Sequence, residues 1–211
     1  KSDGSLWGWG WNGNGQLGDG TTNSSMIPIQ IGTDFTSVYC NGYTAMAIKS
    51  NGSLWAWGVN SDGTYGDGTR TKSMVPIQVG TGFTNLSLGN YGAVIALKSD
   101  GSLWTWGNNR DGQIGDGTTG GYITSPKQIG TGYIQIAAGL NHMVAVKSDG
   151  SLWTWGDNSM GKLGDGSITD SSVPKLIDSG YSSISASNST FGIKSDGSLW
   201  GWGWNGNGQL G

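Results

Sequence analysis

One heptapeptide phrase, Lys-Ser-Asp/Asn-Gly-Ser-Leu-Trp, begins at Lys1, Lys49, Lys98, Lys147 and Lys194, so the spacings are 48, 49, 49 and 47 residues. Four complete units and an eighteen-residue start of a fifth therefore account for all 211 residues. Self-similarity at such a period is the mark of repeat architectures, in which each unit buries its apolar faces on its neighbours. Nothing in the chain calls for a domain boundary, and residues 1–211 read as a single repeat-array domain.

Each unit parses into about four short strands. Ser5-Leu6-Trp7-Gly8-Trp9-Gly10 alternates strictly, which places Trp7 and Trp9 on one face. Asp-Gly or Asn-Gly precedes this strand in every unit, a type I′ hairpin signal that joins it to apolar runs such as Ala45–Ile48 and Val94–Leu97. Another strand lies upstream, at Thr36–Tyr39 and its equivalents. A last one follows Pro28, Pro76, Pro126 and Pro174, where proline at the start suits a sheet edge. A four-stranded antiparallel sheet of about 48 residues, repeated, is a β-propeller blade. The predicted fold is thus an all-β propeller array with about four blade equivalents. A β-solenoid is the rival, but its rungs are shorter and lack repeated hairpin turns.

Composition supports packed blades over a flexible linker. The 41 glycines and 12% charged residues resemble a low-complexity chain, yet 12 tryptophans supply the aromatic mass that disordered chains lack. Glycine at this density excludes long helices. Ten tryptophans recur in register: Trp7 and Trp9, Trp55 and Trp57, Trp104 and Trp106, Trp153 and Trp155, Trp200 and Trp202. Their placement in every unit assigns them to blade-on-blade packing, because a recognition surface would vary between blades. Gly10, Gly58, Gly107 and Gly156 end the tryptophan strand where the chain must turn or approach other backbone closely.

The net charge of −3 offers no basic stripe for nucleic acid and no attraction to acidic lipid. No apolar run approaches the ~18 residues of a spanning helix. The start at Lys1, without an initiator methionine or leader-like segment, reads as a mature product, a fragment or an engineered chain. Cys40 is the only cysteine, assigned as a small buried filler, and His142 is the only histidine, so neither a disulfide nor the usual zinc set can form. No cofactor and no metal are expected. Asp19, Asp67, Asp116 and Asp165 lie in Gly-Asp-Gly turns; weak calcium sites are conceivable there, but one carboxylate per loop favours an aspartate that bonds its own backbone. Asn-x-x-Gly segments at Asn12, Asn60, Asn109, Asn158 and Asn205 read as turns as well. Asn-x-Ser/Thr sequons begin at Asn23, Asn51, Asn85 and Asn188, and carry glycans only in a secreted eukaryotic setting.

Binding positions are sought where the units differ. Trp11 and Trp204 replace Val59, Asn108 and Asp157 of the other units, and so are surface ligand candidates. The long loops before the prolines diverge most, and Arg70, Lys72, Tyr122 and Asp170 are the contact candidates they offer. No paired catalytic constellation stands apart from the repeat, so the chain is read as no enzyme.

The unit Ser-Leu-Trp-x-Trp-Gly-x-Asn-x-x-Gly-Gln-Leu-Gly-Asp-Gly-Thr, followed by a proline and a strand ending in Ala-Ile/Leu/Val-Lys, resembles the regulator of chromosome condensation repeat, and in particular its bacterial form. The Trp-Gly-x-Asn-x-x-Gly core recurs in all five copies. The resemblance implies a propeller, typically of seven blades, whose members are mostly binding platforms; the eukaryotic founder is a nucleotide exchange factor and a bacterial relative inhibits β-lactamases. It also implies a structural role for His142. No exchange-factor loop and no basic tail match here.

The chain supplies four blades, not seven. Residues 1–18 and 194–211 are identical at every position, whereas the stretches from Lys49, Lys98 and Lys147 match the first at 11, 13 and 13 of 18 positions. A window of a longer array, an engineered chain with duplicated ends, or assembly through open blade edges would each account for this. The resulting expectation is a bacterial, extracellular scaffold for a protein partner. Self-association through the open edges is the alternative, and a lectin-like or enzyme-inhibitor domain is a third reading.

Overall fold

A computed structural model describes residues 1–211 and contains only strands and turns. The first sheet has two strands, β1 (Leu6–Gly10) and β2 (Ser25–Gly32). Three four-stranded antiparallel meanders follow. They are β3 (Phe35–Cys40), β4 (Thr44–Lys49), β5 (Ser53–Gly58) and β6 (Ser73–Thr81); β7 (Phe83–Leu88), β8 (Val94–Lys98), β9 (Leu103–Asn108) and β10 (Tyr122–Gly130); and β11 (Tyr133–Ala138), β12 (His142–Lys147), β13 (Leu152–Gly156) and β14 (Ser171–Asp178). A three-stranded sheet closes the series, with β15 (Tyr181–Ala186), β16 (Ser189–Lys194) and β17 (Leu199–Gly203). This is the all-β array of about four propeller blades that the repeat predicts. Proline lies within the outer strand of each blade, three or four residues after its start, between register irregularities. The edge position tolerates its missing N–H.

The cores lie between sheets. Met46 and Ile48 of β4 meet Leu86, Leu88 and Trp106 of the next blade, and Ile95 and Leu97 of β8 meet Met143 and Trp155 of the one after. The second tryptophan of each full blade anchors the joint. Trp57, Trp106 and Trp155 donate their indole N–H to the Gln16, Thr64 and Gln113 carbonyls of the preceding unit, at 2.7 to 2.9 Å. The ring lies against a glycine of that unit: a methyl group at Gly115 would come within 2.7 Å of Trp155 Nε1.

The first tryptophan behaves differently. Trp55, Trp104 and Trp153 are half-buried, donate to Ser53, Ser102 and Ser151, and carry the ammonium groups of Lys49, Lys98 and Lys147 at 4.4 to 4.8 Å from the ring centre. The lysine of the repeated phrase is therefore a cation–π partner. Two tryptophans assigned to the core are exposed, Trp9 at 62% and Trp200 at 50%, because they belong to the terminal sheets, where neighbouring strands do not cover both faces.

The hairpins form where the Asp-Gly and Asn-Gly pairs predict them, but not with type I′ turns. Only the glycine has positive φ, for example +77° at Gly52, and Gly52 N–H bonds the Lys49 carbonyl at 2.9 Å. That is a type I turn followed by a left-handed glycine. Asn51 stays right-handed while its Oδ1 accepts from the Ser53 N–H at 3.0 Å and from the Ser53 hydroxyl.

Candidate protein-interaction face

In a four-stranded meander the loops between strands one and two and between strands three and four emerge at the same end. Backbone bonds tie them together within blades, from Val59 N–H to Tyr43 O and from Asp157 N–H to Asn141 O, both at 2.9 Å. Bonds between blades continue the surface, from Asn41 Nδ2 to Gly89 O and from Leu140 N–H to Ser187 O, both at 3.0 Å. This looped end is a rigid, continuous face.

Buried asparagines hold the long loops. Asn158 donates to Asp165 Oδ1, Ser167 O and Thr169 O, each at 3.1 Å, and accepts from Leu163 N–H at 3.0 Å. Asn12, Asn60 and Asn109 repeat the arrangement with similar partners. The Gly-Asp-Gly carboxylates cap these turns: Oδ1 of Asp19, Asp67, Asp116 and Asp165 accepts the N–H two residues on, at 2.9 to 3.0 Å. Asp116 also pairs with Lys127, and Asp165 with Lys175, whose ammonium holds the Asp165 carboxyl well below the usual carboxylate range. Each carboxylate thus has local donors. No group of three or more His, Cys, Asp or Glu side chains comes together.

Aromatic side chains occupy one half of the face. Trp11, Tyr43 and Tyr91 are 57%, 53% and 54% exposed, and Trp11 meets Tyr43 edge-on with ring centres 6.0 Å apart. Tyr91, Asn108, Arg110 and Asn141 surround a hollow of about 240 Å³. Charge gathers in the other half. Lys162 pairs with Asp157, and both are largely buried. Burial opposes ionisation of Asp157, but the Lys162 ammonium and the Ser159 donors outweigh it and keep the carboxyl below its ordinary range. Burial raises the nearby Asp111, and the Asp157 charge adds to the effect.

His142 begins β12 and is fully buried under this face. Thr190 donates its hydroxyl to Lys162 O at 3.0 Å, so the Nε2 of His142, 2.8 Å from Thr190 Oγ1, carries the proton of a neutral ring. Burial, then repulsion from Lys162, pushes its pKa down to about 4. An unfolded chain takes up that proton near pH 6.5, whereas the folded chain refuses it until about pH 4. Stability is therefore complete above pH 6.5 and falls by up to about 3 kcal/mol as the pH drops to 4. Urea midpoints measured across this window should decline for the native chain and lose most of that slope in His142→Gln. Equal slopes contradict the assignment.

The sequence-derived contact candidates do not form one site. Arg70 and Tyr122 do meet across neighbouring blades, with the guanidinium 4.3 Å from the ring centre, and Arg70 Nε bonds the Ser61 carbonyl. Lys72, two residues after Arg70, is exposed. Asp170 accepts from Asn158 N–H at 2.7 Å and is a loop tie. Trp204 is half-buried against Gly206, in the far unit from Trp11. Cys40 is exposed, contrary to the buried filler expected; its equivalents Leu88 and Ala138 are buried because a preceding blade covers them. Tyr43, Tyr91 and Arg110 escaped the sequence reading. Their signal is the same one that marked Trp11: they differ between units, in the short first loop (Tyr43, Tyr91) and after the repeated asparagine (Arg110).

A family profile described as "Regulator of chromosome condensation (RCC1) repeat" matches residues 3–48, 100–146 and 149–189, and a second profile of the same description matches 35–64, 83–113, 133–162 and 183–209. A search of the curated proteins finds no match. Among solved structures, yeast RCC1 (Prp20) bound to Kap60 superposes with a TM-score of 0.85 at 20% identity, over 97% of this chain and 53% of that one. Prp20p of Saccharomyces cerevisiae, described with its binding to Gsp1p and histones, gives 0.83 at 19% over 97% and 55%. Human WBSCR16 gives 0.77 at 22% over 88% and 52%. The chain spans about half the length of these structures, and at such identity they speak for the fold. With family profiles covering more than half of its residues, the chain belongs to the family of regulator of chromosome condensation (RCC1) repeat proteins.

Proposed function

We propose that the chain is a non-enzymatic scaffold that binds a protein partner through its looped face. One observation carries the reading: Trp11, Tyr43 and Tyr91, each more than half exposed, stand on loops fixed by backbone bonds and buried asparagines, with Arg110 beside them. Aromatic and arginine side chains on a rigid base are the residues that dominate protein–protein binding energy. The relatives of known structure support the class, since their descriptions name Kap60, Gsp1p and histones as bound proteins. The mixed charge around Asp111, Asp157 and Lys162 favours a partner presenting both signs around an apolar centre.

The test compares three chains in affinity capture followed by measured affinities for whatever is held. The native chain and a variant altered at the opposite end, Thr81→Ala with Thr131→Ala, should retain the same partner. Tyr43→Ala, Tyr91→Ala and Arg110→Ala combined should weaken it by at least tenfold, from typical losses of about 1 kcal/mol or more per anchor residue. Undiminished binding by the triple variant contradicts the reading.

A further inference from the structure

Two hollows of opposite polarity adjoin Tyr91 on the looped face. The first, of about 190 Å³, opens between the blades β3–β6 and β7–β10, and its walls include Tyr43, Ser61, Asp62, Thr64 and Tyr91. The second, of about 240 Å³, is bounded by Tyr91, Asn108, Arg110 and Asn141. Tyr91 is the one residue common to both.

The first hollow is acidic. Asp62 stands in the loop that Asn60 holds through its bond from Tyr65 N–H, at 2.9 Å. Its carboxylate lies against the backbone of the next blade, since a methyl group at Gly92 would come within 2.8 Å of Asp62 Oδ2. It accepts from the Ser61 hydroxyl at 3.2 Å, and no lysine or arginine pairs with it. Tyr43 and Tyr91 add two half-exposed aromatic rings to the same walls, and Tyr43 is steadied by its edge-on contact with Trp11. A free carboxylate beside aromatic rings suits a basic side chain, because ring quadrupole and negative charge attract the same cation.

The second hollow is basic. The Arg110 N–H bonds Asn108 Oδ1 at 2.9 Å, which seats the loop and leaves Asn108 Nδ2 as a donor. Asn141 turns its Oδ1 inward, where it is buried, so Nδ2 is the end left to the hollow. No carboxylate lies within ion-pair distance of the Arg110 guanidinium, and the adjoining Asp111 feels its charge only from further away. Donors with no acid among them suit a carboxylate. The repeat assembles this pair of hollows once. The position of Asp62 holds Asn14, Asp111 and Met160 in other units, and that of Arg110 holds Gly13, Ser61 and Ser159. Only the joint between β3–β6 and β7–β10 combines the acid with two tyrosines.

We propose that the two hollows take a basic and an acidic side chain presented side by side by a protein partner, with Tyr91 between them. The proposal rests on the looped face being the partner surface. A partner with the two charges reversed meets its like in each hollow, which gives the face a discrimination that apolar contact alone lacks.

The test uses the full chain, with lysine and glutamate as probes, each capped as its acetyl methylamide, and follows backbone amide shifts by NMR. Capped lysine should give saturable shifts at Asp62 and Gly92, and capped glutamate at Asn108 and Arg110, at millimolar concentrations where capped norleucine and capped glutamine give none. Asp62→Asn should weaken the lysine probe by about three- to fivefold, the size of a partly exposed ion pair, and leave the glutamate probe unchanged. Arg110→Gln should do the reverse. Each spectrum also reports that the variant is folded. A native chain that answers charged and neutral probes alike, or neither, overturns the proposal. So does a variant that weakens both probes equally or leaves both unchanged. If the triple variant above loses its partner while the probes fail, the charge pair falls and the looped face stands as the partner surface. If the probes bind while the triple variant keeps its partner, the reading of the face falls and the proposal with it.

Discussion

Trp155→Ala should lower the stability of the chain by about 4 to 5 kcal/mol, more than the replacement of any half-buried tryptophan of the repeat. The indole is fully buried between β8 and β12, among Ile95, Leu97, Met143 and Ala145. Removal of so large a ring from a close-packed joint costs about 3 to 5 kcal/mol in transfer and cavity terms. It also strips the Gln113 carbonyl of its donor at 2.9 Å, adding about 1 kcal/mol or more. Trp153, two residues earlier on the same strand, bonds only Ser151 within its own hairpin and lies under Lys147, so Trp153→Ala should cost about half as much. Urea unfolding followed by circular dichroism compares the two. Equal losses would mean that the joint does not depend on the second tryptophan.

Gly107→Ala should cost about 3 kcal/mol or more, although it adds one methyl group. Gly107 has φ of +93° at the end of β9, and a Cβ there would overlap the Gly92 carbonyl that receives the next residue's N–H. Left-handed backbone costs a non-glycine residue roughly 1 to 2 kcal/mol, and the overlap forces the loop of Tyr91 away from the strand. Gly132 supplies the internal comparison, with φ of +80° and nothing within 4 Å of a built Cβ. Gly132→Ala should show the backbone term alone, about 1 to 2 kcal/mol. The difference between the two melts isolates the close approach. If the two variants melt alike, the tight contact between the first and third loops of the blade is not made.

The fold was legible because the repeat does two things at once. Its period exposes the unit, and its alternation of Leu, Trp and Gly over Leu103–Asn108 and the equivalent strands sets which side of each strand faces a joint. Turn geometry was less legible. An Asp-Gly pair fits either a type I′ turn or a type I turn with a left-handed glycine, and the bond from the Ser102 N–H to the Asp100 carboxylate at 2.9 Å, which accompanies the second, lies outside any two-residue rule. Burial at the ends was illegible for another reason. Cys40 and Trp9 occupy positions that are buried in the interior blades, and only the sheet across the joint decides their exposure. On the looped face, variation between units marks Trp11, Arg70 and Tyr122 as candidates, and it marks Tyr43 and Tyr91 equally, in short loops whose divergence the long loops overshadow.

Two tryptophan environments alternate along the array, one sealed in each joint and one stacked under lysine at the surface. Hydrogen exchange of the assigned indole N–H groups reads this directly. The indoles of Trp106 and Trp155, bonded across the joints to Thr64 and Gln113, should exchange only with global unfolding, and those of Trp104 and Trp153 far faster by local opening. Rapid exchange at Trp106 and Trp155, or equal protection of all four, would contradict it.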